Sequence, residues 1–123
     1  MLSLSEIQET REKLGKHIDI TPVQRWRSPV VEERFGAGTE IFMKLELFQR
    51  TGTFKPRGAL TNMLNLDSRA LEKGICAVSA GNHAIAAAYA ARELGTSAKV
   101  VMIKTANPFR IERCRQLGAE IEM

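Results

Sequence analysis

Short apolar runs of strand length alternate with helix-length amphipathic stretches along this chain, and that alternation restricts its fold more than any other feature. Ile75-Cys76-Ala77-Val78 reads as a buried strand, Ala84 to Leu94 as a helix closed by Gly95, and Lys99 to Ile103 as a second strand rich in β-branched residues. Asn107-Pro108 then opens a helix with Ile111, Cys114 and Leu117 on one stripe and Gly118 as its stop. The last residues, Glu120 to Met123, read as strand again. Upstream, Ser3-x-x-Glu6 is a capping box for a first helix with Leu4, Ile7 and Leu14 on one face and Gly15 near its end. Thr21-Pro22 breaks that pattern, Ser28-Pro29 to about Phe35 reads as a second short helix, and Gly36-Ala37-Gly38 as a turn. Glu40 to Leu45 alternates as a strand, and Pro56 suits the first turn of a helix that turns Leu60, Met63 and Leu64 inward. Elements of these lengths in this order predict an α/β fold, an open parallel sheet with flanking helices and right-handed crossovers. Repeats, low-complexity tracts and linkers are absent from the sequence.

Composition narrows the class of partner. With 44% apolar and 26% charged residues, the 123-residue chain has the make-up of a globular domain. Its formal charge of +4 is modest and its lysines and arginines are scattered, so no nucleic-acid surface is expected. The N-terminus turns polar too soon for a signal peptide and no stretch is apolar enough to span a bilayer. Cys76 and Cys114 lack metal-ligand spacing and read as free, buried thiols, which points to a reducing, cytoplasmic setting. Gly36-Ala37-Gly38 lacks the third glycine and preceding strand of a dinucleotide fingerprint, and there is no Gly-Lys-Ser/Thr phosphate loop.

Two segments carry chemistry. In Thr51-Gly52-Thr53-Phe54-Lys55-Pro56-Arg57-Gly58-Ala59, a lysine stands at a helix start between an aromatic residue and an arginine. Burial or a neighbouring cation disfavours the charged form of a lysine and frees its amine as a nucleophile; without them the same residue simply opens a helix. In Ser79-Ala80-Gly81-Asn82-His83-Ala84, a tight turn links strand to helix and aims backbone N–H groups at an anion such as a carboxylate. Asn82 there reads either as a helix cap or as an amide offered to a ligand. His17 is expected exposed at the end of the first helix and His83 packed at a helix start. Arg110, Arg113 and Arg115 are expected on a solvated face, and Tyr89 and Trp26 in the core or at its rim.

Together the two segments resemble the serine/threonine dehydratases (threonine ammonia-lyases) within the tryptophan synthase β-like, fold type II group of pyridoxal-phosphate enzymes. Thr21-Pro22-Val23, Lys44-Leu45-Glu46 and Leu117-Gly118-Ala119-Glu120 extend the likeness along the chain. The resemblance implies that pyridoxal 5′-phosphate is held on Lys55, whose amine then removes the Cα proton of the substrate. Phe54 would pack on the cofactor ring, Asn82 would bond its ring hydroxyl, and Ser79, Ala80, Gly81, Asn82 and His83 would receive the substrate carboxylate. Thr51 and Thr53 would orient the lysine loop. The implied reaction converts threonine or serine to a 2-oxo acid and ammonia. The parent enzyme would be a homo-oligomer.

Departures refine the expectation. Thr53 stands where serine is commoner, and Ile85 where the family usually has glutamine. Ala80 replaces the serine that serves serine racemases as second proton carrier, which disfavours racemisation. Pro56 differs from the aspartate typical of cysteine and threonine synthases. The chain has no Gly-Gly pair, so the family's glycine-rich phosphate loop is missing. The resemblance therefore implies an N-terminal piece of the enzyme: residues 1–50 as a helix and strand of the large domain, and 51–123 as most of the small cofactor-lysine domain. Alternatives are a non-catalytic relic or interaction module, and a related serine racemase or hydroxyaspartate ammonia-lyase.

Overall fold

In the computed structural model, which describes residues 2–123, the first helix α1 spans Leu4–Leu14. Its capping box forms as the sequence predicts: Glu6 N–H donates to Ser3 Oγ at 3.2 Å, and Ser3 N–H donates to the Glu6 carboxylate at 2.7 Å. Only Leu14 of the expected apolar face is buried; Leu4 and Ile7 are exposed. The helix meets the one that begins at Lys55, so periodicity named the stripe but not how much of it is covered.

Beyond Thr21-Pro22 lies a strand that the sequence pattern did not suggest, β1 (Val23–Trp26). It is exposed along its length and too short to show an alternation. It exists through antiparallel pairing with β2 (Ile41–Lys44), Val23 opposite Lys44 and Trp26 opposite Ile41. Between them α2 (Pro29–Phe35) starts at Ser28, whose hydroxyl accepts from Val30 N–H, and Gly36 and Gly38 turn the chain with positive φ.

α3 (Lys55–Leu64) begins with Lys55-Pro56 and buries Pro56, Ala59, Leu60 and Met63. A short helix absent from the sequence reading, α4 (Ser68–Glu72), is capped by Asp67, whose carboxylate accepts from Ala70 N–H at 2.7 Å. Then come β3 (Ile75–Val78), α5 (Asn82–Glu93), β4 (Ala98–Val101), α6 (Pro108–Gln116) and β5 (Glu120–Glu122). These three strands form a parallel sheet in the order β3-β4-β5, with Cys76 beside Lys99 and Lys99 beside Glu120. The predicted parallel sheet is thus real in the second half of the chain, while β1 and β2 make a separate antiparallel pair.

The core is organised around α5. Every residue from Ala84 to Ala91 is buried, and six of those eight are alanine. Small side chains let α3, α6, β3 and β4 all close on one helix, a geometry that bulkier residues would push apart. Cys114 is fully buried as expected, and burial pushes its thiol up from the usual range. Cys76 is exposed instead: β3 buries Ala77 and turns its alternate residues Cys76 and Val78 to the uncovered face.

Candidate active site

The loop before Lys55 is a turn closed by Gly52 N–H donating to Gln49 C=O at 2.6 Å, with Gly52 at φ +73°. Lys55 N–H donates to Thr53 Oγ1 at 3.3 Å, so Thr53 does help shape the lysine loop. Thr51 Oγ1 is buried and has no partner among the described residues. Lys55 Nζ lies 5.2 Å from the centroid of the Phe54 ring, placing the amine over an aromatic face.

Two expectations about this lysine need correction. Lys55 is exposed rather than shielded from water, and Phe54 is 59% exposed. Arg57, expected to bring a free positive charge near the amine, turns to Glu46 instead. Its Nε donates to Glu46 Oε2 at 2.8 Å and its Nη2 to Glu46 Oε1 at 2.9 Å. That bidentate bond holds the Glu46 carboxyl below the usual carboxylate range and raises Arg57 above its ordinary value.

At the other segment, Ser79 N–H continues the ladder to Val101 C=O at 3.0 Å, and Ser79 Oγ accepts from Gly81 N–H at 3.2 Å. Gly81, in extended backbone, is the cap of α5, and Asn82 is its first helical residue, so Asn82 is not the cap. The N–H groups of Ala80, Asn82 and His83 have no partner among the described residues. A Cβ on Gly81 would meet only Ser79 Oγ, at 3.9 Å, and φ of −119° suits any residue. Glycine here is dictated neither by strain nor by crowding; what it contributes is open space at a helix N-terminus. His83 is exposed rather than packed. Arg110, expected on a solvated face, is half-buried and donates to Ala80 C=O at 3.3 Å, bracing the turn.

The structure therefore joins Phe54 to Lys55, and Ser79 to Gly81, without any hydrogen bond between the two segments among the described residues. They head α3 and α5, which pack against each other through Ala59, Leu60, Met63 and the alanine face of α5. An open groove of about 1100 Å³ lies elsewhere, between α1, residues 18–23, Lys44 and Arg57. None of the candidate residues lines it.

Sequence reasoning missed a polar cluster behind the lysine loop. His17, expected exposed, is half-buried, and its Nδ1 lies 3.2 Å from Glu93 Oε2. Tyr89 is buried; its hydroxyl donates to His17 C=O at 2.6 Å and accepts from Arg50 Nη1 at 3.2 Å. No local pattern announces such contacts, because each spans more than thirty residues. Among the described residues there is no cluster of His, Cys, Asp or Glu fit for a metal, and no helix long and apolar enough to cross a membrane.

Comparison with known proteins assigns the family. Residues 14–123 match the model of the pyridoxal-phosphate dependent enzymes. The chain belongs to this family. It is 49% identical over 120 residues to a phenylserine dehydratase of Ralstonia pickettii, covering 96% of this chain and 35% of that protein. It is 36% identical over 121 residues to an L-threonine ammonia-lyase of Thermotoga maritima, covering 98% of this chain and 29% of that one. Among solved structures, serine racemase from Dictyostelium discoideum superposes with a TM-score of 0.85 at 32% identity, covering 98% of this chain and 38% of that chain. The chain thus spans about a third of the length of the relatives it matches, and its fold is the α/β fold of this fold type II family.

The family's cofactor is pyridoxal phosphate. The residues present fit its reacting end: an accessible primary amine, an aromatic face beside it, and open amide N–H groups at the start of α5.

Proposed function

We propose that the whole protein is a pyridoxal-phosphate-dependent dehydratase, an ammonia-lyase that converts a hydroxy amino acid such as threonine or serine to a 2-oxo acid and ammonia. The observation that carries this reading is the pairing, on two packed helices, of Thr-Gly-Thr-Phe-Lys at one N-terminus with an unobstructed Ser-Ala-Gly-Asn-His turn at the other. When bound, the cofactor supplies an electron sink for negative charge developing at the substrate Cα.

This chain's residues would divide the remaining tasks. Lys55 holds the cofactor through its amine and, once released, takes the proton from Cα. Phe54 packs on the ring, and the Asn82 amide donates to the ring hydroxyl. The N–H groups of the turn from Ser79 to His83 receive the substrate carboxylate, aided by the positive end of the α5 dipole. Ala80 offers no hydroxyl to return a proton to the opposite face of Cα, which favours elimination over racemisation.

In this reading residues 1–50 belong with the large domain, and 51–123 form the small one. Support comes from the separate β1–β2 sheet and from Trp26, Phe35, Phe42, Leu47 and Phe48, all exposed in the first fifty residues. Cofactor phosphate and full burial of Lys55 would be supplied by the part of the relatives that this chain does not match. Several charge-assisted hydrogen bonds at ~1.5–3 kcal/mol each are at stake there, so the 123-residue chain alone should not turn over serine or threonine. The working enzyme is taken to be a homo-oligomer in a cytoplasmic setting.

The exposure of Lys55 favours a second reading, a non-catalytic relic or interaction module. Treating the purified chain with pyridoxal phosphate, reducing with borohydride and mapping the labelled peptides separates the two. Label concentrated on Lys55 supports a retained cofactor site; label spread over the lysines supports the relic. Steady ammonia release by the isolated chain would overturn the assignment of phosphate anchoring to the unmatched region.

A further inference from the structure

Both ends of the lysine loop are fastened to the same three residues, Asp19 to Thr21. At the start, the Gln49 side chain reads the Asp19 backbone twice: Asp19 N–H donates to Gln49 Oε1 and Gln49 Nε2 donates to Asp19 C=O, each at 2.9 Å. Gln49 is 3% exposed, so both bonds are sheltered from water. At the far end, Thr21, also 3% exposed, donates its hydroxyl to Glu46 Oε1 at 2.5 Å. Glu46 in turn holds Arg57 bidentately, two residues after Lys55. Lys44 Nζ donates to Thr21 C=O at 2.6 Å and ties the strap to β2.

We propose that Asp19–Thr21 is a positioning strap that grips the lysine loop through Gln49 and through the Glu46–Arg57 pair, and so fixes where the Lys55 amine points. The argument is mechanical. Lys55 is exposed, and apart from the Phe54 ring its amine has no side-chain hydrogen-bond partner among the described residues, so the loop backbone decides where the side chain leaves the fold and which region its amine can reach. That backbone has few apolar anchors of its own between Gln49 and Lys55, where Phe54 is exposed. A loop held only by fraying turns samples many directions; two sheltered grips in register on one strap remove that freedom. Buried polar groups of this kind leave their partners unsatisfied when one member is removed, so the strap is sensitive to changes that barely alter side-chain volume.

The inference rests on Lys55 being the cofactor lysine, and its test distinguishes the two ideas. Thr21→Val keeps the side-chain shape but deletes the donor to Glu46, Gln49→Glu deletes the donor to Asp19 C=O, and Thr21→Ser restores the hydroxyl. Hydrogen exchange read by mass spectrometry needs no cofactor. The hydrogen-bonded amides of Gly52, Lys55 and Arg57 should lose protection by about tenfold in Thr21→Val and Gln49→Glu, with the later turns of α3 unchanged and Thr21→Ser close to the parent. In parallel, borohydride trapping of pyridoxal phosphate should show Lys55's share of the label falling several-fold in the first two variants and recovering in Thr21→Ser. Unchanged loop protection overturns the strap whatever the labelling does. Loosened loops with an unchanged Lys55 share also overturn it, since the grip would then be purely structural. Loosened loops in a parent chain that never labels selectively overturn the cofactor-lysine reading, while the mechanical grip stands. Should Gln49→Glu fail to fold, the Thr21 pair decides by itself.

Discussion

From Ala84 to Ala91 the helix α5 is buried without interruption, and Tyr89 is the one residue of that stretch with a side-chain hydrogen bond. Between Asp19 and Arg57, by contrast, only Thr21, Val31, Gln49 and Pro56 are buried, and the segment is tied down by Thr21, Glu46, Gln49 and Arg57. The first region is held by apolar area, which is non-directional and forgiving of small rotations. The second is held by bonds that fail when a donor moves by an ångström. A scaffold of the first kind supplies stability; a frame of the second kind supplies aim. The lysine loop sits where the two meet, its last turn merging into α3 and its first residues hanging on the polar frame.

The comparison can be broken at its strong side first. Leu60, fully buried on α3 against α5, should cost about 3 kcal/mol when truncated to alanine, measured by urea unfolding. A loss no greater than that of the polar variants would mean that apolar burial does not dominate stability. Next comes Glu46→Gln, with an expected loss of about 2 kcal/mol at neutral pH, since a charge-assisted bidentate bond becomes a neutral one.

That second effect carries its own pH signature. The hydrogen bond from Arg57 lowers the folded-state Glu46 pKa, so the stabilisation is fully present above the ordinary unfolded glutamate value of about 4.3 and disappears as pH falls through the lower folded value. The gap in stability between the parent and Glu46→Gln should therefore close in acid; a gap that is constant from pH 7 to strongly acidic pH would assign the loss to packing. Smallest is Tyr89→Phe, about 1 kcal/mol in a thermal or urea melt, for a hydroxyl that links His17 to Arg50. It sharpens the contrast because it removes directional bonds from the apolar helix and leaves its burial intact.

Much of the secondary structure was legible residue by residue. Ser3 and Glu6 announced α1, Ser28-Pro29 announced α2, Asn107-Pro108 announced α6, and the runs expected at 75–78 and 99–103 became parallel strands at 75–78 and 98–101. What escaped were elements that need a distant partner or are very short. β1 gains its identity from pairing with β2 some twenty residues away, and α4 is a five-residue helix set by Asp67. At the site, the lysine segment and the turn at Ser79 were visible as motifs. The exposure of Lys55, the capture of Arg57 by Glu46, and the role of Gly81 rather than Asn82 as the α5 cap were not.

The sequence by itself determined the alternation of helix and strand, the starts and stops of most elements, and the two motifs that assign the family, because caps, periodicity and turn residues act over a few neighbours. Only the tertiary structure decided which apolar faces are covered, which charges are cancelled, and that Asp19–Thr21 holds the lysine loop at both ends. Those depend on contacts between residues eleven to thirty positions apart, where geometry rather than local pattern selects the partner.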